Sequence, residues 1–331
     1  MITPRAKIIG TGSYLPEKVL TNLDLEKMVD TTDEWIRTRT GIQERHIAAP
    51  EQAASDLSKI ALERALISAG ITAEDLDFII VATVCPDTTF PSTACILQNK
   101  IGARTIPAVD ITAACSGFMY GLTMAKAFIE SGAYKTIAVI GVELLTRYTD
   151  WKDRDTCVLF GDGAGVAILQ ANTDENDTSC IVSTHLAADG SLNHLIIKEA
   201  EGSRNPASHE TVDAGMHYIK MEGREVFRHA VRSMLSVAEE ALKSANLQEA
   251  DVDWIITHQA NIRIIESLAE RLSIPRDRVF VNIEKCGNTS AASIPIALDE
   301  MNSKGMLKKG SVILTAAFGG GLTSGSVIIR W

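Results

Sequence analysis

Cys115 is the residue of this chain best placed for covalent chemistry. The apolar residues 108–111 predict a short buried strand, and from Ser116 onward apolar residues recur at helical spacing until Gly132. A thiol in the first turn of a helix faces the positive end of the helix dipole. We therefore expect a lowered pKa for Cys115, which favours the nucleophilic thiolate. The alternative is a buried apolar cysteine, which we expect for the other five cysteines.

Two polar residues in the second part of the chain could polarise a carbonyl group. His258 directly follows the apolar residues 254–257, and Asn288 lies in the small-residue segment CGNTSAAS at 286–293. A neutral imidazole and a side-chain amide both carry N–H donors that stabilise negative charge developing on oxygen. The alternatives are a packed or surface histidine and a helix N-cap, both common outside active sites.

An internal repeat indicates how the chain positions these residues. Residues 61–82, ALERALISAGITAEDLDFIIVA, align without a gap on residues 237–258, VAEEALKSANLQEADVDWIITH, with nine identities at an offset of 176. Each copy predicts a helix, an acidic turn and a buried strand. His258 stands where the first copy has Ala82, so the histidine is specific to one copy.

Two shorter similarities keep the same order along the chain as the repeat. FGDGAGVAIL at 160–169 resembles FGGGLTSGSVII at 318–329, and VDITAACSG at 109–117 resembles VNIEKCGNTS at 281–290. The conserved order predicts two duplicated domains, residues 1–180 and residues 181–331.

Helices alternate with apolar strands in both parts, which predicts an α/β protein with mixed sheets. The predicted strands cover residues 78–84, 108–112, 136–141, 254–257, 279–283 and 311–316. Ligands in α/β folds bind at the carboxyl ends of strands, and Cys115, His258 and Asn288 each follow such an end. We therefore expect the three side chains to converge in one cleft between the two halves.

The composition excludes several classes of function. The 331 residues are 46% apolar and 22% charged, as in ordinary globular proteins, and the net charge of −10 argues against non-specific nucleic-acid binding. The N-terminal residues do not resemble a signal peptide and no stretch of about eighteen apolar residues occurs, so we expect a cytoplasmic protein without membrane contact. The cysteines form no CxxC pair and no HExxH motif is present, so we expect reduced thiols and no metal.

Four motifs taken together resemble one enzyme family, the β-ketoacyl-acyl carrier protein synthases III. These are AACSGF (113–118), HQAN (258–261), GNTSAAS (287–293) and FGGG (318–321), and both TDEWIRTRTGIQERHIA (32–48) and FGDGAG (160–165) also match. The resemblance spans essentially the whole chain. It implies a thiolase-like α/β fold of two duplicated halves in a five-layer αβαβα arrangement, usually as a homodimer. It also implies an acyltransferase that starts fatty acid biosynthesis.

The resemblance assigns a division of labour to the motif residues. Cys115 takes an acyl group from a short acyl-CoA, with acetyl-CoA as the default primer. His258 and Asn288 stabilise the enolate formed when malonyl-acyl carrier protein loses carbon dioxide, and the carbanion attacks the acyl-Cys115. The backbone N–H groups of Cys115 and Gly320 form the oxyanion hole. CoA thioesters are substrates here, so no cofactor is implied.

Further positions match family residues that contact the substrates. The implied CoA-binding residues are Thr31, Trp35, Arg39, Arg154 and Asn261. Trp35 and Arg154 sandwich the adenine. The implied acyl pocket contains Phe90, Leu145 and Phe160, with Phe90 supplied by the partner subunit of the homodimer.

An acidic carrier protein requires a local basic surface on this acidic chain. The implied docking residues are Arg224, Arg228, Gln259, Arg263 and Arg271. Arg224, Arg228 and Arg232 share one face of a predicted helix over residues 224–235. The alternative for such a row of arginines is an ordinary solvated face, and Glu270 departs from the lysine common in the family.

Two other functions stay open at this stage. One is a relative on the same fold that transfers acyl groups to a different nucleophile. The other is a non-catalytic acyl-CoA-binding protein. The combination of cysteine, histidine and asparagine favours decarboxylative condensation over both, because acyl transfer alone does not require a decarboxylation site. The chain length and branching of the primer are not determined by these motifs.

Overall fold

The computed structural model describes residues 3–331, which form eleven α-helices and thirteen strands. The helices are α1 (Asn22–Leu25), α2 (Asp33–Thr40), α3 (Ala54–Ala69), α4 (Thr93–Lys100), α5 (Gly117–Glu130), α6 (Arg154–Cys157), α7 (His209–Asp213), α8 (Gly223–Ala245), α9 (Ile262–Arg271), α10 (Ile283–Cys286) and α11 (Ser293–Ser303). The strands are β1 (Arg5–Tyr14), β2 (Lys18–Thr21), β3 (Glu44–Ile47), β4 (Phe78–Ala82), β5 (Ala108–Ile111), β6 (Thr136–Leu144), β7 (Asp162–Asn172), β8 (Cys180–Ala188), β9 (Ile196–Lys198), β10 (Ile219–Met221), β11 (Trp254–Thr257), β12 (Val312–Gly319) and β13 (Thr323–Arg330).

Two mixed sheets contain nine of these strands. The first has the order β1-β7-β6-β4-β5, with β4 parallel to both β5 and β6, and β7 antiparallel to both β6 and β1. The second has the order β11-β12-β13-β8, with β11 parallel to β12 and the other pairs antiparallel. Strands β2 and β3 form one small antiparallel pair and β9 and β10 another. The α/β class with mixed sheets is confirmed.

Five of the six predicted strands form, with ends shifted by at most three residues. The strand predicted over residues 279–283 is wrong. Only Val279 makes a parallel bridge, to Ile255 of β11, and the chain then enters helix α10. Val279 therefore lies beside β11 in the second sheet as β5 lies beside β4 in the first. With β11 equivalent to β4 and β12 to β6, the strands of the two sheets follow the same order. The boundary predicted between residues 180 and 181 lies at the first residue of β8 and stays a prediction.

The helices and sheets alternate in five layers. Helix α3 packs on the outer side of the first sheet and α8 on the outer side of the second. Helices α5 and α11 lie between the sheets, where each contacts strands of both. The central core joins residues of these two helices to residues of both sheets; they include Ile80, Phe118, Leu122, Ile294, Leu298 and Ile313. Because apolar side chains pack against both faces of each sheet, the strands consist of nearly continuous apolar residues.

The two copies of the repeat fold into the same unit. In each copy an aspartate ends the acidic turn and accepts a backbone N–H at its start, Asp75 from Thr72 and Asp251 from Gln248, both at 2.8 Å. Two residues later, Asp77 accepts the N–H groups of Lys135 and Thr136, and Asp253 accepts that of Val312. These aspartates join the start of a strand to the start of its neighbour, so the repeated residues are structural.

No helix within residues 3–331 has the length and apolar composition needed to cross a membrane.

Candidate active site

Cys115 lies in a 3-10 turn, Ala114–Ser116, between the end of β5 and the start of α5. The preceding residue, Ala114, has a φ of 45°, a left-handed conformation that non-glycine residues adopt rarely. The hydroxyl groups of Ser116 and Thr323 are 2.7 Å apart, and each lies 2.8 Å from the carbonyl oxygen of Ala113. These bonds attach the cysteine turn to strand β13 of the second sheet.

The expected low pKa of Cys115 is wrong for this structure. Burial raises the pKa of the thiol to about 12, because the thiolate loses its hydration, and a hydrogen bond from Ser290 offsets only part of this cost. The residue starts as a thiol, so a base must accept its proton before or during attack on a carbonyl group. The sequence placed Cys115 near a helix start correctly but could not show that folding partly buries the residue.

The segment Ser290–Ser293, which we call the 290–293 turn, connects the three predicted catalytic side chains. The Ser290 side chain is hydrogen-bonded to Cys115, and its backbone N–H donates to Asn288 Oδ1 at 2.9 Å. The Ser293 hydroxyl lies 2.7 Å from His258 Nδ1. The structure therefore brings Cys115, His258 and Asn288 to the two ends of one short turn.

His258 is held as a neutral imidazole. The side chain is 3% exposed, and burial lowers its pKa to about 3 because the charged imidazolium would lose its hydration. The backbone N–H of Gln259 donates to Ser293 Oγ at 3.4 Å, which leaves the Ser293 proton to bond to His258 Nδ1. On this assignment from the hydrogen bonds, Nε2 carries the ring proton and is a donor.

Asn288 has a fixed amide orientation. Because its Oδ1 accepts the Ser290 N–H, its Nδ2 group is left to donate. Its backbone is attached to the segment before β7: the Asn288 N–H donates to Leu159 O at 2.9 Å, and the Gly161 N–H donates to Asn288 O at 3.0 Å. Two neutral side chains with N–H donors, His258 and Asn288, are thus both bonded to the 290–293 turn.

One glycine of the FGGG motif, Gly319, comes directly against Cys115. A Cβ atom on Gly319 would lie 2.5 Å from the backbone nitrogen of Cys115, so only glycine allows this approach. The next residue, Gly320, is half-buried, and its Cβ direction points at Ile196, 3.2 Å from that residue's carbonyl oxygen. The oxyanion hole of Cys115 and Gly320 stays a prediction.

The five predicted CoA-binding residues lie in or next to helices α2, α6 and α9. The Arg154 guanidinium lies 4.6 Å from the centre of the Trp35 ring, and Arg154 also donates to Asp30 O at 3.2 Å. Asn261, the N-cap of α9, donates to the carbonyl oxygen of Arg39 at 3.0 Å. The Thr31 hydroxyl is buried without a hydrogen-bond partner among residues 3–331.

One predicted docking residue is contradicted. Gln259 is 0% exposed: its Nε2 donates to Thr257 O at 2.9 Å and its Oε1 accepts the Asn282 N–H at 3.1 Å. It therefore supports the backbone around His258 and cannot contact a partner protein. The four predicted arginines, Arg224, Arg228, Arg263 and Arg271, are exposed on α8 and α9.

The predicted acyl-pocket residues are divided between core and surface. Leu145 and Phe160 are buried in one apolar cluster, whereas Phe90 is 84% exposed. Phe90 therefore does not line a pocket with the other two within one chain.

Glu143 is a buried carboxylate that the sequence analysis missed. All nine residues of β6 are buried, and Glu143 Oε1 accepts the Ser290 hydroxyl proton at 3.0 Å while Oε2 accepts the Val84 N–H at 3.1 Å. Burial raises the pKa of this carboxyl group to about 7. The sequence feature that could have identified Glu143 is its position as the single charged residue within the apolar stretch TIAVIGVEL (136–144). Charged side chains are rarely buried unless a partner stabilises them.

Comparisons with known proteins identify related chains over nearly the whole length. Residues 109–190 match the family described as 3-Oxoacyl-[acyl-carrier-protein (ACP)] synthase III, and residues 242–331 match the description of its C-terminal part. The chain is 56% identical over 326 residues to Beta-ketoacyl-[acyl-carrier-protein] synthase III of Caldanaerobacter subterraneus subsp. tengcongensis, covering 98% of each chain.

Solved structures of similar proteins have the same fold. The chain superposes on the 3-oxoacyl-[acyl-carrier-protein] synthase III of Aquifex aeolicus with a TM-score of 0.90 and 50% identity, covering 98% of this chain and 100% of the other. For the corresponding synthase III of Pseudomonas aeruginosa the TM-score is 0.91 at 37% identity, covering 99% and 98%.

Proposed function

This chain belongs to the 3-oxoacyl-[acyl-carrier-protein] synthase III family, and on that premise we propose that it joins a short acyl-CoA to malonyl-acyl carrier protein. The reaction is a decarboxylative condensation that starts fatty acid synthesis and yields a 3-ketoacyl-acyl carrier protein, carbon dioxide and CoA. The observation that carries the proposal is the 290–293 turn, which connects one partly buried thiol to two neutral N–H donors.

In the first step Cys115 is the nucleophile. Its sulfur attacks the thioester carbonyl carbon of the acyl-CoA, and the tetrahedral oxyanion collapses with loss of CoA to leave an acyl-Cys115 thioester. The backbone of β12 lies against the Cys115 nitrogen, and this supports the proposal that N–H groups in this region receive the oxyanion. Acetyl-CoA is our default primer, as the family resemblance of the motifs implies.

In the second step His258 and Asn288 bind the malonyl thioester oxygen. Loss of carbon dioxide turns that carbonyl into an enolate, and neutral donors stabilise it without competing as bases. His258 suits this role because burial keeps its pKa at about 3, so the ring is uncharged at neutral pH. Each donor stabilises the transition state by about 3–4 kcal/mol.

CoA binding requires the Trp35–Arg154 pair to open. A guanidinium 4.6 Å from the ring centre is in direct contact with the ring, and this separation leaves no room for a planar base between the two groups. Arg154 lies at the start of the four-residue helix α6 and is held by one exposed hydrogen bond, to Asp30. We propose that adenine enters by displacing the Arg154 side chain while Trp35 remains packed.

The carrier protein is proposed to dock on α8 and α9. The guanidinium of Arg263 on α9 lies 5.7 Å from the ring of Phe227 on α8, so this arginine lies beside the helix that carries Arg224 and Arg228. A local basic surface on a chain of net charge −10 would guide an acidic partner to this face. The exposed Phe90 supports a homodimer in which it enters the partner's acyl pocket. Cytoplasmic location stays a prediction.

Covalent trapping tests the proposed function. Incubation of the protein with acetyl-CoA should add one acetyl group, measured by intact-mass spectrometry, and addition of malonyl-acyl carrier protein should remove it with formation of the 3-ketoacyl product. Cys115→Ser should acquire no acetyl group, while Cys95→Ser, a change at an exposed cysteine, should behave as the wild type. Absence of a covalent adduct with acetyl-, isobutyryl- and octanoyl-CoA alike would contradict the proposal.

A further inference from the structure

Cys115 needs a proton acceptor, and His258 is a poor candidate. The cysteine is a thiol at neutral pH, because burial raises its pKa to about 12. Burial lowers the pKa of His258 to about 3, and its Nδ1 is already bonded to Ser293, 2.7 Å away. An imidazole whose Nδ1 is already bonded and whose pKa is lowered by burial is a weak acceptor for a thiol proton near pH 7.

Ser290 connects Cys115 to a carboxylate instead. Its hydroxyl donates to Glu143 Oε1 at 3.0 Å, and the same side chain lies beside the cysteine, so its oxygen is free to accept the thiol proton. Ser290 has a φ of 48°, and its backbone N–H is held by Asn288 Oδ1 at 2.9 Å. A serine in this left-handed conformation, bonded on three sides, has its hydroxyl placed between sulfur and carboxylate.

The surroundings of Glu143 suit an ionised carboxylate that can also be protonated. Its Oε2 accepts the Val84 N–H at 3.1 Å, and the Thr83 hydroxyl lies 3.4 Å away. The titratable groups that face it are the thiols of Cys85 and Cys115 and the hydroxyl of Tyr148, and burial raises the pKa of all three. These neighbours are uncharged near pH 7, so Glu143, whose pKa is about 7, is the group that changes charge.

We propose that Ser290 and Glu143 form a proton relay that takes the thiol proton of Cys115 when the cysteine attacks its acyl donor. The inference rests on the proposed function of Cys115 and adds two residues to it. Glu143 touches neither substrate, and it acts through Ser290.

The relay balances protons and electrons over the acylation step. As sulfur bonds to the carbonyl carbon, the S–H proton passes to Ser290 Oγ and the Ser290 hydroxyl proton passes to Glu143 Oε1. The carbonyl electron pair moves to oxygen and returns when the bond from carbon to the CoA sulfur breaks. That sulfur receives the proton back from Glu143 through Ser290. The products are acyl-Cys115, CoA as a thiol and the original carboxylate.

Two rate profiles against pH, between about pH 5.5 and 9, test the relay. The first is acetylation of Cys115 by acetyl-CoA, followed by intact mass. The second is alkylation of Cys115 by iodoacetamide, followed on the Cys115 peptide, with the exposed Cys95 as the internal standard. Alkylation needs no acyl donor, so it still tests the relay if no acyl-CoA reacts and the proposed function fails.

The expected result is a rate that rises with pH through an inflection near 7 in the wild type, as Glu143 ionises. Glu143→Gln and Ser290→Ala should each lose the inflection, and their rates at about pH 8 should fall by about 100-fold. Asp162→Asn is the matched control: it also replaces a buried carboxylate, one that accepts the Ala48 and Thr146 N–H groups, and it should keep the inflection.

The relay is overturned if either variant retains the inflection near pH 7, whatever its absolute rate. It is also overturned if Asp162→Asn loses the inflection to the same extent, because the effect would then come from general loss of structure. Thermal melting of each variant shows whether Glu143→Gln folds. If it does not, Ser290→Ala decides the question alone, since it leaves the carboxylate in place.

Discussion

The two copies of the repeat, residues 61–82 and 237–258, have the same scaffold and end in different chemistry. In both, the strand lies beside a parallel neighbour, β4 beside β6 and β11 beside β12. The first copy ends at Ala82, where a Cβ on Gly117 of α5 would come within 3.0 Å of the Ala82 side chain. The second ends at His258, whose ring bonds to Ser293 at the start of α11.

This difference separates the structural use of one motif from the catalytic use that we propose for it. The small residue in the first copy lets α5 pack closely, and α5 begins directly after the turn that contains Cys115. The larger residue in the second copy fills the corresponding space with an N–H donor. Duplication alone explains the aspartates and apolar residues that the copies share, whereas the asymmetry at one position marks the site.

The largest expected effect comes from replacing His258 by alanine, the residue that the first copy of the repeat has at the equivalent position 82. His258→Ala should lower the rate of condensation by about 10²–10³-fold, the usual cost of removing one donor to a developing oxyanion. Acetylation of Cys115 should persist, because the histidine does not take the thiol proton. Intact mass measures the first step and chromatography of the 3-ketoacyl product measures the second. Equal loss of both steps would show that His258 also serves acylation.

A second change tests how closely the first sheet approaches the 290–293 turn. The strand pairs Ile80–Val139 and Ile256–Thr315 make Gly141 of β6 the counterpart of Ala317 in β12. A Cβ on Gly141 would lie 2.2 Å from the carbonyl oxygen of Ala291, so Gly141→Ala must displace the turn. We expect a loss of about 1–3 kcal/mol in the free energy of unfolding, together with slower acetylation of Cys115.

Ala317→Gly is the matched variant of that experiment in the second sheet. It removes a Cβ that the structure accommodates, and we expect a loss of about 0.5–1 kcal/mol with acetylation unchanged. Urea unfolding followed by fluorescence gives both free energies. If Gly141→Ala is as stable and as active as the wild type, the close approach of β6 to the turn is wrong.

The smallest expected effect compares the aspartates at the strand starts. Asp77 accepts the N–H groups of Lys135 and Thr136 and forms an ion pair with Arg104, whereas Asp253 accepts the N–H of Val312. Asp77→Asn should therefore lower the free energy of unfolding by about 1–2 kcal/mol, and Asp253→Asn by less.

The effect at Asp77 should depend on pH in one direction. Burial alone would raise the pKa of this carboxyl group, but the N–H donors and Arg104 together hold it below its ordinary value of 3.8. The stabilisation by its charge is therefore complete well above pH 3.8 and is lost as the pH falls below that value. The urea midpoints of wild type and Asp77→Asn should converge in acid. A difference that persists there would show that packing, not charge, is responsible.

Much of the fold was predictable because its signals are local. The strands β4 and β11 consist of consecutive apolar residues, and the aspartates of the repeat are hydrogen-bonded to residues near them in sequence or in the adjacent strand. The strand predicted over residues 279–283 failed because α10 follows Val279 so soon that only one bridge forms. Gln259 was wrongly predicted to lie on the surface. Nothing in the local sequence shows that its side-chain amide accepts a hydrogen bond from the backbone N–H of Asn282.

Sequence by itself predicted a nucleophile, two donor side chains and the repeated unit that precedes one of them, since residue type and periodicity carry this information. Tertiary structure alone decided the protonation states at the site. Cys115, Glu143 and Ser290 are far apart in the chain, with Glu143 and Ser290 separated by 147 positions, and they meet only when two sheets close on one turn. A pKa depends on the water and charges that remain around a group after folding, and the linear sequence does not contain that information.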